Sequence, residues 1–178
     1  AQVYRRAERT RFKRQLDIAD FLRQFVVEQR MNEMETRYYG MVVENITCPH
    51  EYARAVEAVA GGGLFHCIVK DFNTAETLIN ALAQKKLGRM SFIPLDSIYV
   101  KQKEYHPPEG VEPLLNKLEF PEEVERAVRF VFGNAMVTDD TDLIRTYQER
   151  ERVRCVTLDG DVFTGKGVVS GGVRRDGI

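Results

Sequence analysis

The sequence predicts a mixed α/β domain of two pseudo-symmetric halves, each a small sheet with packed helices, preceded by a helical segment. Three observations carry this prediction. Residues 1–35 contain no Gly or Pro and are rich in Arg, Glu and Gln. The run Arg54-Ala-Val-Glu-Ala-Val-Ala-Gly61 recurs as Arg126-Ala-Val-Arg-Phe-Val-Phe-Gly133, with five of eight positions identical. The last fifth of the chain alternates short β-branched runs with glycines at 160, 165, 167, 171 and 172. Glycine within or beside strands marks turns, bulges or close backbone approach.

In the first segment, Phe12, Leu16, Ala19, Leu22 and Val26 fall three or four apart and form one helical stripe. Leu22 breaks a strict heptad, so two readings stand: a helix packed on its own domain, or the end of a coiled coil entering it. The globular part opens with a strand near Tyr38–Val43. A helix is expected over Pro49–Ala60, with Tyr52, Val56 and Val59 on its apolar side and Gly61-Gly62-Gly63 ending it. Leu64–Val69 reads as a strand, Asn73 or Thr74 as the cap of a helix to about Lys86, and Met90–Ile93 as a strand stopped by Pro94. Lys101–Pro113, with Pro107, Pro108, Gly110 and Pro113, reads as a linker.

The order then repeats. Pro121–Phe132 is helical, Ala135–Val137 a strand, Asp139–Thr141 a cap, Asp142 to about Glu149 a helix and Val153–Leu158 a strand. After each recurrent helix comes a strand, an Asp (Asp71; Asp139 or Asp140), a Thr and a Leu-Ile pair (Leu78-Ile79; Leu143-Ile144). This order favours an internal duplication, and two copies are too few for a solenoid. The domain boundaries expected are 1–35 for the arm helix, 36–115 for the first half and 116–178 for the second half with its glycine-rich strands.

The chain has 178 residues, 43% apolar and 30% charged, with 26 basic against 27 acidic side chains. That balance exerts no global pull towards nucleic acid, so any such contact must come from a local patch. No apolar run is long enough to span a bilayer, and no signal peptide is visible. Three widely spaced cysteines, Cys48, Cys67 and Cys155, fit a reducing compartment better than a disulfide framework. A start at Ala1, in helical sequence, reads as a piece of a longer protein.

Candidate chemistry is sparse. Gly160-Asp-Val-Phe-Thr-Gly-Lys166 fits the start of a phosphate-binding loop, but Gly167 stands where Ser or Thr should hold magnesium, and the sequence after it is poor helix. An enzyme domain binding nucleotide around Gly160–Lys166 is therefore the alternative function, and a hairpin turning at Asp159-Gly160 the simpler reading. His66 and Cys67 are adjacent in a strand and point to opposite faces, which argues against a zinc site with Cys48 and His50. Ser170 lacks a nucleophile-elbow frame. Asp159, Asp161 and the acidic run at 139–142 are accounted for by turns and helix capping. No catalytic residue, metal site or cofactor is expected. Lys166, Arg174 and Arg175, among small residues, are candidate phosphate contacts, against a reading as solvated charge.

Gly160, Gly167 and Gly171-Gly172 form a G-x6-G-x3-G-G array. Together with the helical approach, the duplicated body, Ala127–Gly133 and Val156–Asp161, this array resembles the hinge domain of structural maintenance of chromosomes (SMC) proteins over residues 36–175. Within the family the first half is most similar to the third SMC subunit of cohesin, through Tyr39–Asn45, Ala55–Gly61, Leu64-Phe-His66 and Gly88–Leu95. The residues after Gly172 lack the aromatic expected in that subunit, which leaves condensin or bacterial-type subunits open.

The resemblance implies a non-catalytic hinge that dimerises two SMC arms, each half offering a strand edge that a partner's opposite half completes around a small channel. It implies an interface through Gly160, Gly165, Gly167, Val168, Val169, Gly171 and Gly172, the glycines letting paired strands approach closely. DNA contact is implied near the channel through Lys166, Arg174 and Arg175. The implied partner is another SMC hinge, that of the first SMC subunit for cohesin. The implied state is a heterodimer, with a monomer or weak homodimer in isolation. The implied location is nuclear and chromosome-associated.

Overall fold

The computed structural model of the chain describes residues 12–29, 37–101 and 103–172. Helix α1 (Lys13–Glu28) buries Leu16, Ile18, Ala19, Leu22 and Val26 in the same core as the first sheet. The Phe12 ring stacks on Phe65 with centroids 4.3 Å apart. In its described part the helix packs on its own domain, since each buried aliphatic side chain contributes about 1.5–3 kcal/mol there.

The first sheet has the order β1 (Tyr38–Met41), β2 (Cys67–Val69), β3 (Phe92–Pro94), with β1–β2 antiparallel and β2–β3 parallel. Strand β2 is buried throughout and apolar throughout, the pattern of a strand covered on both faces. It is shorter than Leu64–Val69 because Gly61–Phe65 coil into a 3-10 helix after Gly61 turns the chain at φ 52°. Between β1 and β2 lie the single turn α2 (Val42–Asn45) and the helix α3 (Ala53–Ala60), which a 3-10 turn at His50–Tyr52 leads into. Helix α4 (Phe72–Lys85) is capped by Asp71, not by Asn73 or Thr74. The Asp71 carboxylate accepts from the Thr74 N–H at 2.8 Å and the Thr74 hydroxyl at 2.6 Å, bonds that hold its pKa below the usual range.

Pro94 does not stop β3 but belongs to it, opposite Val69. The Cys67 N–H donates to Ser91 and the Leu95 N–H to Val69, so alternate residues from 91 to 95 face β2. Pro94 and Phe92 face the other way, where a missing N–H leaves no ladder bond unmade.

The second sheet repeats the pattern and extends it: β4 (Glu112–Pro113), β5 (Met136–Val137), β6 (Cys155–Val156), β7 (Val162–Phe163), β8 (Val169–Ser170). Strands β4–β5 are antiparallel and β5–β6 parallel, as in the first sheet, and β6–β7 and β7–β8 are antiparallel. The expected linker thus ends inside this sheet. Helix α5 (Glu125–Phe132) answers α3, and α6 (Thr141–Glu151), capped by the Asp140 carboxylate, answers α4. The backbone details repeat too. Gly61 and Gly133 have φ 52° and 58°, and the residues closing α4 and α6, Lys86 and Arg152, are both left-handed at φ 52° and 50°. Thr47 and Glu119, 72 positions apart like Gly61 and Gly133, bond reciprocally through their backbones at 2.9 and 2.8 Å. Equivalent residues meet there, so the bridge marks the axis relating the halves.

The core does not divide with the repeat. One cluster runs from α1 and the first sheet through Val128, Phe132, Val137 and Val156 of the second. A smaller one gathers Val111, Met136, Ile144, Tyr147, Val153 and Cys155. Arg154 adds a polar tie, reaching the Val59 carbonyl of α3 at 3.4 Å and the Phe132 carbonyl of α5 at 3.3 Å. Burial lowers its pKa.

Candidate assembly edge

The glycine array folds into two consecutive hairpins. In the first, the Gly160 N–H donates to the Thr157 carbonyl at 3.0 Å and the Thr157 N–H to Asp161 at 3.0 Å, with Gly160 at φ 92°. In the second, the Gly167 N–H donates to Thr164 at 3.1 Å and the Thr164 N–H to Val168 at 2.8 Å, with Gly167 again at φ 92°. The Thr164 hydroxyl accepts from the Val168 N–H and tightens the turn. A Cβ on Gly165 would fall on the Arg152 carbonyl, and one on Gly171 on the Asp161 carboxylate. The close approaches that require these two glycines are therefore made within the chain.

Gln148, on α6, was not singled out by its sequence context. Its side-chain amide reaches the carbonyls of Val153, Phe163 and Thr164 at 2.8, 2.7 and 3.1 Å and moors the second hairpin to the helix. A glutamine on a charged helix carries no periodic signal of such a role.

Among the described residues β8 pairs with β7 alone. The bonded Thr164–Val168 pair sets the alternation, so the Val169 N–H and C=O face outward. Val168 and Val169 are 59% and 62% exposed. The first sheet is open at β3, where the Phe92 N–H and C=O face outward. By topology β3 is the counterpart of β6, yet β6 carries the double hairpin and, among the described residues, β3 carries no further strand. One chain thus presents a sheet that runs two strands long and another that stops two strands short, each with unpaired backbone at its end.

Of the residues expected at an interface, Gly165, Gly167, Val168 and Val169 lie on the second turn and the outer strand, and Gly171 and Gly172 follow that strand. Gly160 is buried in the first turn, at the opposite end of the hairpin. Lys166 is exposed at the tip of the second turn, and Arg174 and Arg175 lie outside the described residues. Lys166 leads into strand β8, so no helix N-terminus meets the Gly160–Lys166 loop and the geometry of a phosphate-binding loop is not built.

The cysteines are packing residues of differing depth. Cys67 is fully buried, with the Tyr38 hydroxyl 3.7 Å from its sulfur, and burial pushes its thiol up to about 12. Burial likewise pushes Cys155 to about 11 and raises half-buried Cys48. Among the described residues no group of three His, Cys, Asp or Glu side chains is arranged to hold a metal ion.

Comparison with known proteins gives a consistent neighbourhood. Residues 35–147 match the model of the SMC proteins Flexible Hinge Domain. The chain is 39% identical over 124 residues to the chromosome partition protein Smc of Methanocaldococcus jannaschii, covering 68% of this chain and 11% of that protein. It is 30% identical over 151 residues to structural maintenance of chromosomes protein 3 of Arabidopsis thaliana, covering 85% of this chain and 12% of that protein. The chain therefore spans about a tenth of the length of these relatives. A solved structure of the Geobacillus stearothermophilus SMC hinge domain, an asymmetric dimer, superposes with a TM-score of 0.70 at 24% identity, over 98% of this chain and 80% of that one. At that identity the likeness is one of fold.

Proposed function

The chain belongs to the SMC hinge domain family, and on that premise we propose that it is a non-catalytic module joining two SMC arms by sheet completion. The outer edge of β8 in one hinge pairs with the outer edge of β3 in another, and the reciprocal contact closes the pair. The observation that carries this reading is the mismatch between the sheets: an exposed two-strand extension on β6, and an open edge on its counterpart β3. Unpaired edges are templates for another chain. Two such contacts per dimer raise avidity without enlarging either one.

The partner is the hinge of another SMC subunit. We assign the chain to the cohesin type of third subunit, on the first-half residues and on the relative of that name. Its partner is then the hinge of the first cohesin SMC subunit, in a heterodimer acting on chromosomes in the nucleus. Lys166, Arg174 and Arg175 contact DNA beside the channel between the two hinges. The test is the mass of the chain in solution, alone and mixed with the first-subunit hinge and with condensin and bacterial-type hinges. A heterodimer with the first-subunit hinge alone is expected. Preference for another hinge would reassign the subunit, and no association with any hinge would overturn the reading.

A further inference from the structure

Arg54 and Arg126 occupy the same position of the repeat, at the start of α3 and α5. Each reaches across the pseudo-axis to the turn that follows the third strand of the other half. Arg126 does so firmly: its Nη1 donates to the Leu95 carbonyl at 2.7 Å and its Nη2 to the Ile98 carbonyl at 2.9 Å. Arg54 does so loosely, with its Nη1 3.9 Å from the Asp159 carboxylate and both side chains exposed. An exposed pair at that distance contributes little.

The difference between the two arginines follows from the difference between the sheets. The turn at Asp159 is held by the hairpin it opens, through the Thr157–Asp161 and Gly160–Thr157 bonds and the pairing of β7 with β6. The turn at Leu95–Ile98 follows a strand with no outer neighbour among the described residues: its Leu95 and Asp96 N–H groups donate to the Val69 and Lys70 carbonyls on the inner side, and beyond them the Ser97 and Ile98 N–H groups share the single Pro94 carbonyl. We propose that Arg126 is a positioning residue that substitutes for the missing hairpin: from the second half, it fixes the end of the first half's docking edge so that the Phe92 backbone is presented in register. Two charge-assisted bonds from one planar fork restrain the turn in position and orientation, which a lysine's point charge cannot do. A pre-ordered edge loses less entropy when a strand docks on it. The inference rests on the proposed role of β3 as a docking edge.

The experiment compares Arg126→Ala, Arg126→Lys and Arg54→Ala in the whole chain by amide exchange, thermal unfolding and the Kd for the first-subunit cohesin hinge. Arg126→Ala is expected to speed exchange at Leu95–Ile98 selectively and to raise the Kd on the order of tenfold, the scale of a lost pre-organising restraint. Arg126→Lys should fall between wild type and Arg126→Ala, and Arg54→Ala should leave both quantities unchanged. A Kd unchanged in both Arg126 variants would overturn the inference, as would faster exchange spread over the whole chain, which a general stabilising role produces. Should Arg126→Ala fail to fold, Arg126→Lys decides by the same readings. Val169→Pro, on the other sheet, separates the two ideas. If it leaves the Kd unchanged, the edge-pairing premise fails. If it blocks association while the Arg126 variants bind normally, only the present inference fails.

Discussion

Gly165 and Gly167 stand two positions apart in one turn and need glycine for different reasons. At Gly165 the obstacle is the Arg152 carbonyl, which a Cβ would overlap. At Gly167 there is open space, and the constraint is φ 92° alone. Gly165→Ala must displace backbone and should cost about 1–3 kcal/mol, the range of overpacking. Urea unfolding checks this, and an unchanged midpoint would mean that the turn yields freely. The cysteines make a second residue-scale prediction. A thiol probe should modify Cys48 first in the native chain, and Cys67 and Cys155 only on unfolding, because burial suppresses their thiolates. Their raised pKa values also set a sign. The folded chain keeps protons that the unfolded chain releases, so their contribution is intact below the ordinary thiol value of 9.0 and is lost as pH rises towards about 11 for Cys155 and about 12 for Cys67. Denaturant midpoints across that alkaline window should fall for the wild type and flatten for the Cys67→Ala, Cys155→Ala double variant.

At the scale of elements, the open outer edge of β8 is the feature to test. Replacing Gly171 and Gly172 by bulky residues would bear on association, but Gly171 abuts Asp161 and Gly172 has φ 115°, so such changes also strain the hairpin itself. Val169→Pro is cleaner. It removes an N–H that faces outward and so deletes a bond to a partner without deleting one to β7. We expect association to fall below detection by sedimentation while the circular dichroism of the chain is retained. Association at wild-type strength would show that β8 is not the pairing strand. Legibility in the sequence varied with the kind of signal. The helices α1, α3, α4, α5 and α6 were readable because an apolar stripe extends over several turns. The cap at Asp71 was displaced by two or three residues because Phe72, though apolar, starts the helix exposed. The strands β4 to β8 have two residues each, too few for any periodicity: β4 was read as linker, β5 and β6 were read as strands from short apolar runs, and β7 and β8 were legible through the glycines that bend the chain around them. Arg126 was visible as a repeat position, but its bonds and those of Gln148 to the second hairpin were not legible, because the partners are carbonyls 15 to 31 residues away.

At the scale of the whole molecule, the duplication gives two sheets, one shared core and two edges of opposite kind. The chain as a whole carries a formal charge of -1, so DNA cannot be drawn to it by net charge. On the proposed reading, any attraction comes from local concentration of cations where two hinges meet. Lys166 sits at the exposed tip of the β7–β8 turn, beside the strand proposed to pair, and Arg174 and Arg175 follow that strand in sequence. Each phosphate contact releases a counterion, so each one lost should reduce the slope of log K against log salt by about 0.9 for duplex and 0.7 for single-stranded DNA. Lys166→Gln, Arg174→Gln and Arg175→Gln combined should therefore flatten the slope by up to about 2 to 3 units for the monomeric share of a dimer. The exposed turn tip at Lys166 loses no packing by the change, so the melting temperature should hold. The measurement is a DNA titration of the assembled hinge pair at several salt concentrations. A slope equal to that of the wild type would make these three side chains solvated charge, and would move the search for DNA contacts to the partner hinge.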